Sequence, residues 1–103
     1  MSNIGFGFRP VHPGELLKDE LEYRGLSQKS VAKELGVPYT AFNEILNSKR
    51  PVTTDFALMI EAALGLPAYM LVGMQTDYNL QVAQSDKKLG QRLAEIRKIA
   101  SFL

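Results

Sequence analysis

Residues 28–45 read Gln28-Lys29-Ser30-Val31-Ala32-Lys33-Glu34-Leu35-Gly36-Val37-Pro38-Tyr39-Thr40-Ala41-Phe42-Asn43-Glu44-Ile45. Val31, Leu35, Phe42 and Ile45 are spaced so that two short helices bury one common face. Gly36 stands where the first helix must end, in a positive-φ conformation that is costly for most residues. Ala32 is small enough for the second helix to cross closely over it. Amphipathicity explains the four apolar positions but neither Ala32 nor Gly36. Together the six define a helix-turn-helix, the device that presents one helix to the major groove of DNA.

Outward from this stretch the chain reads as helices joined by short turns. Residues 1–11 contain Gly5, Gly7 and Pro10 and predict an irregular arm. His12-Pro13-Gly14-Glu15 predicts a helix start, with proline at its first position and an acid in its first turn. Leu16, Leu17 and Leu21 form the buried face of that helix and Gly25 closes it. Ser27 is the expected N-cap of the next helix, with the Ser30 hydroxyl close by. A third helix runs from Pro38 or Tyr39 to about Asn47, and Pro51 prevents its continuation. Thr53-Thr54-Asp55 caps a fourth, with Phe56, Ile60 and Leu64 inward and Gly65 as its stop. A fifth starts at Pro67 and reaches about Gln84, with apolar positions Met70, Leu71, Met74, Tyr78 and Val82. Met59, Met70 and Met74 read as packing residues.

The last segment differs in character. Ser85-Asp86 predicts another N-cap, and Leu89, Leu93, Ile96, Ile99 and Ala100 follow at helical spacing. Lys87, Lys88, Arg92, Arg97 and Lys98 surround this narrow stripe, which requires a surface to cover it. The expected organisation is therefore an all-α, five-helix domain over residues 1–84 and a basic amphipathic helix over residues 85–103.

Composition narrows the function classes. The 103 residues are 46% apolar, enough for one core, and carry a net charge of +1. With so small a net charge, a case for DNA rests on where the charges sit. Cysteine is absent, which excludes disulfides and thiolate metal sites and fits a cytoplasmic protein. No apolar run approaches the roughly 20 residues of a membrane span, and the N-terminus lacks the apolar stretch of a secretory signal. No enzymatic constellation is legible. The single histidine, His12, lacks a ligand or triad partner nearby and reads as a cap. Asp19, Glu20 and Glu22 form a solvated face, and no phosphate-cradling loop occurs. No catalytic residue, metal ligand or cofactor is expected.

With Phe42 and Ile45 inward, the third helix turns Tyr39, Thr40, Ala41 and Asn43 outward. Asn43 suits adenine, Thr40 suits several bases, and the Ala41 methyl suits a thymine methyl. Tyr39 reaches a phosphate or the groove wall. Gln28 and Lys29 open the second helix, whose free N–H groups attract phosphate. Lys49 and Arg50 leave the end of the third helix as further phosphate clamps. Glu44 opposes DNA unless it accepts from a cytosine amino group or pairs with a lysine.

A longer set of motifs extends this reading. Val11-His12-Pro13-Gly14-Glu15-Leu16-Leu17, Gly25-Leu26-Ser27-Gln28, Leu35-Gly36-Val37-Pro38 and Asn43-Glu44-Ile45-Leu46-Asn47-Ser48-Lys49-Arg50 resemble the HigA/VapI-type antitoxins. These are XRE-like helix-turn-helix proteins of the Cro/repressor class. The similarity covers about residues 11–84. It implies a five-helix Cro/repressor-like domain, a homodimer on a palindromic operator, autorepression of a small operon, and neutralisation of a HigB/RelE-like, mRNA-cleaving toxin. Family members often carry arginine where Tyr39, Thr40 or Ala41 stand, so the operator sequence does not transfer. Ser48 replaces the usual glycine after Asn47. The basic tail is a poor electrostatic mate for a cationic ribonuclease, so the toxin contacts stay unplaced.

The dimer contact is expected at Met70 and Met74 of the fifth helix and at Leu89, Leu93 and Ile96 of the tail. Two other readings share the fold. One is a stand-alone XRE-family transcriptional regulator without a toxin. The other is a protein-interaction module that has lost DNA binding. A short basic reading frame beside the gene favours the antitoxin over the regulator, and insensitivity to Thr40→Arg or Lys49→Ala favours the interaction module.

Overall fold

The computed structural model describes residues 9–103, so the arm expected over residues 1–11 lies mostly outside the described residues. Among these residues the chain forms six helices and no strand: α1 (Pro13–Arg24), α2 (Gln28–Leu35), α3 (Tyr39–Leu46), α4 (Thr54–Leu64), α5 (Ala68–Gln84) and α6 (Lys87–Ala100). The all-α architecture and its additional C-terminal helix follow the sequence reading.

Helix boundaries are set by short-range chemistry. Ser27, Thr53 and Asp86 accept hydrogen bonds from the backbone N–H groups of Ser30, Phe56 and Leu89, satisfying donors that a helix start leaves open. Each such cap is worth about 1 kcal/mol. Gly25, Gly36 and Gly65 end α1, α2 and α4 with φ of 69°, 70° and 78°. α3 ends differently. Ser48 takes the left-handed position with φ 64°, while its N–H reaches Ile45 and that of Lys49 reaches Glu44. This is a Schellman closure made without glycine.

Two compact units divide within α5, at Thr76/Asp77. The unit Val11–Thr76 holds a core that includes Leu17, Leu21, Ala32, Phe42, Phe56, Ile60 and Leu71. The rings of Phe42 and Phe56 meet at 5.9 Å and 55°. Burying each of these large apolar side chains contributes roughly 1.5–3 kcal/mol. Val31 and Ile45 are buried as expected, and Leu16, Leu35 and Leu64 pack partly against the same core.

Two polar residues are buried with partners. Gln75 accepts the Val52 N–H through Oε1 at 2.8 Å, tying α5 to the connection before α4. His12 accepts the Gly14 N–H on Nδ1 at 2.9 Å and also bonds the backbone of Arg50. Gly14 lets α1 approach the end of α3 so closely that a Cβ there would run into the Ile45 carbonyl. Met59 corrects the sequence reading: it is 41% exposed, because the inward arc of α4 is filled by Phe56, Ala57 and Ile60.

The second unit takes in Asp77–Leu103, the end of α5 and all of α6. No residue of α6 is buried, and Leu89 and Ile96 are well exposed while Leu93 is half-buried.

Candidate nucleic-acid interface

Anchoring of α3 by Phe42, Ile45 and Leu46 leaves its leading edge open. Tyr39 and Thr40 are exposed, and Ala41 and Asn43 are half-buried. Pro38 precedes the helix and makes no side-chain cap, so no side-chain cap covers the first-turn donors. These groups can face base edges and phosphates without rearrangement of the core.

Gln28 and Lys29 open α2 beside this edge. The Asn43 Nδ2 donates to Gln28 Oε1 at 3.1 Å, joining two positions fifteen residues apart. The Lys29 ammonium lies 5.7 Å from the centre of the Tyr39 ring, a cation–π placement that still leaves its charge near the protein surface. Four of the expected contact residues are thus brought together in pairs: Gln28 with Asn43, and Lys29 with Tyr39.

The far end of α3 is organised by Arg50. Its Nε and Nη2 donate to Glu44 Oε1 at 3.0 and 2.7 Å. Glu44 thus pairs with an arginine rather than the lysine considered in the sequence reading, and its charge is offset locally. Because both partners are exposed, the pair is worth little to stability. Among the described residues Lys49, also exposed, makes no ion pair to a carboxylate. Asn47, just beyond α3, donates through Nδ2 to the Asn43 carbonyl at 2.8 Å and accepts from Lys18 Nζ at 3.1 Å. Sequence reasoning missed Lys18 and Asn47 as supports of the edge, since neither spacing nor residue type predicts a contact across 29 positions.

His12 stands behind the same end of α3. Burial lowers its pKa below 6.5, against the opposing effects of the bond to the Arg50 backbone and the charge of Glu15. The ring is therefore neutral at physiological pH, with Nδ1 available as a cap acceptor. Among the described residues no three His, Cys, Asp or Glu side chains gather as a metal site, and no helix is long and apolar enough to cross a membrane.

A family model described as helix-turn-helix matches residues 17–71. Virulence-associated protein I of Dichelobacter nodosus is 40% identical over 79 residues, spanning 76% of this chain and 73% of that protein. The chain belongs to the XRE-type helix-turn-helix family of HigA/VapI antitoxins. Solved relatives agree with this placement. A HigA-family addiction module antidote protein from Coxiella burnetii matches with a TM-score of 0.75 and 32% identity, over 85% of this chain and 95% of that one. The Pseudomonas aeruginosa antitoxin HigA, solved with the higBA promoter, matches with a TM-score of 0.74 and 29% identity, over 82% and 91% of the two chains. The exposed edge of α3 lies within the matched residues 17–71.

Proposed function

We propose that this chain is a cytoplasmic, sequence-specific DNA-binding antitoxin that represses its own operon as a homodimer and neutralises a HigB/RelE-like toxin. The observation that carries the DNA-binding half is the open leading edge of α3, Tyr39, Thr40, Ala41 and Asn43, flanked by Gln28, Lys29 and Lys49. Membership of the HigA/VapI family supports the antitoxin half. Dimerisation places two reading helices about one helical turn apart on a palindrome. Met70 and Met74, half-buried on α5, and the Leu89, Leu93 and Ile96 stripe of α6 are the surfaces for it.

Fluorescence anisotropy with the duplex upstream of the gene tests the first half. Thr40→Arg alters binding to that duplex, and Lys49→Ala lowers the salt slope by about two, one phosphate contact per subunit. Unaltered binding by both variants contradicts the reading. Co-expression with the product of the neighbouring reading frame tests the second: co-purification and rescue of growth support a toxin partner, and their joint absence leaves the stand-alone regulator as the correct reading. Sedimentation as a monomer at tens of micromolar, on the order of the concentration where a stable dimer assembles, contradicts the homodimer.

A further inference from the structure

We propose that Glu44 acts as a brake on sequence-independent DNA binding, by holding the Arg50 guanidinium away from the phosphate backbone; this rests on the DNA-binding reading above. Two neighbouring cations stand just beyond α3, in different states. Lys49 is exposed and, among the described residues, makes no ion pair to a carboxylate. Arg50 directs both Nε and Nη2 at one Glu44 oxygen, Oε1, at 3.0 and 2.7 Å. The turn that ends α3 builds this pair. Ser48 takes a left-handed φ of 64°, and the Lys49 N–H donates to the Glu44 carbonyl at 2.8 Å. The chain is thereby folded back, so that Arg50 meets Glu44 from six residues away. The Arg50 backbone is tied down as well, by its bond to the buried His12.

A free guanidinium is a strong phosphate ligand because its N–H groups form a planar fork. Here a carboxylate already occupies the Nε–Nη2 edge of that fork. A phosphate must displace this carboxylate to use the same edge, and the freed carboxylate then repels it. The intact pair carries no net charge, so a phosphate lying against it releases no counterion. An exposed pair of this kind shifts an equilibrium by about fivefold at most, which is little for the fold. It counts for more in DNA binding, because affinity for random sequence is built almost entirely from phosphate contacts and each subunit carries the pair once. The corner therefore works with one cation, Lys49, and Glu44 is a positioning residue for the other.

The test measures Kd for a random-sequence duplex by fluorescence anisotropy across a salt series, with the full chain and three variants. Both side chains are exposed, so the substitutions leave the core intact. Glu44→Gln tightens binding by roughly tenfold at low salt and steepens the slope of log Kd against log salt by about two, one new phosphate contact per subunit. Arg50→Ala keeps the wild-type slope, because its guanidinium clamps no phosphate in the wild type. The double variant Glu44→Gln/Arg50→Ala keeps that slope too, since no guanidinium is there to be released. A slope lowered by about two in Arg50→Ala overturns the proposal, because Arg50 would then already bind phosphate. So does an unchanged slope in Glu44→Gln, or an equally steep one in the double variant, which would reduce the effect to the loss of one negative charge. A wild type that binds neither this duplex nor the one upstream of its gene overturns the DNA-binding reading itself, a result distinct from each of these.

Discussion

The units Val11–Thr76 and Asp77–Leu103 are both helical, yet they are helical for different reasons. In the first, Leu17, Ala32, Phe42, Ile60 and Leu71 are nearly or wholly removed from solvent, so packing fixes each helix in place. In the second no residue is buried. There α6 rests on the Asp86 cap, its own hydrogen-bond ladder and the weak Arg92–Glu95 pair at 3.4 Å. Good local signals make a helix, but only burial makes it a fixed platform. The edge proposed to read DNA sits on α3, in the packed unit. The apolar stripe of α6 instead stays largely open, with Leu89 and Ile96 exposed and Leu93 half-buried.

The same substitution should act oppositely in the two units. Gly14→Ala drives a methyl group into the Ile45 carbonyl and should cost about 3 kcal/mol or more, read as a lowered urea midpoint. Stability within 1 kcal/mol of wild type, to order of magnitude, would mean that α1 does not need its close approach to α3. The next largest effect is at His12. His12→Ala removes a cap acceptor and a buried ring and should cost about 2 kcal/mol.

His12 also gives the packed unit a pH signature. Its folded pKa lies below the unfolded value of 6.5, so the unfolded chain binds more protons as pH falls through that range. Stability is full above pH 6.5 and declines as pH falls from there toward the lowered folded pKa. Thermal melts between pH 7.5 and pH 5, roughly above the carboxylate range, should show this decline in the wild type. In His12→Asn, which keeps a capping side chain, the decline attributable to this residue should vanish; an equal decline in both proteins would remove His12 as its source.

Smaller effects sharpen the contrast. Ser48→Gly relieves a left-handed residue at the end of α3 and should stabilise by about 1 kcal/mol in chemical denaturation. Destabilisation there would show that the serine side chain has a role beyond filling the turn. In α6, a Cβ at Gly90 meets no atom within 4 Å. Gly90→Ala should therefore raise helix content and stabilise α6 by about 0.5–1 kcal/mol, measurable as slower amide exchange over residues 87–100. Faster exchange would mean that another chain packs against Gly90.

These contrasts explain which parts of the molecule were legible from sequence. Ser27, Gly36, Thr53, Gly65 and Asp86 act on residues within four positions, so their roles were readable directly. The buried faces of α2 and α3 were readable because Val31, Phe42 and Ile45 repeat with the helical period. Met59 was not, since spacing alone does not tell which side of α4 receives the core. The Gln75–Val52, Glu44–Arg50 and Gln28–Asn43 bonds depend on where chain segments meet after packing. Residue types identified Gln28 and Asn43 as contact candidates, but only the fold shows that they form a pair.

The central claim is that the open edge of α3 docks on duplex DNA. Its most direct measurement is an NMR titration of the labelled chain with the operator duplex. Amide and side-chain shifts should concentrate at Gln28, Lys29, Tyr39, Thr40, Ala41, Asn43 and Lys49 and diminish as salt is raised. Shifts confined to other surfaces, with those seven residues unmoved at saturation, would contradict it.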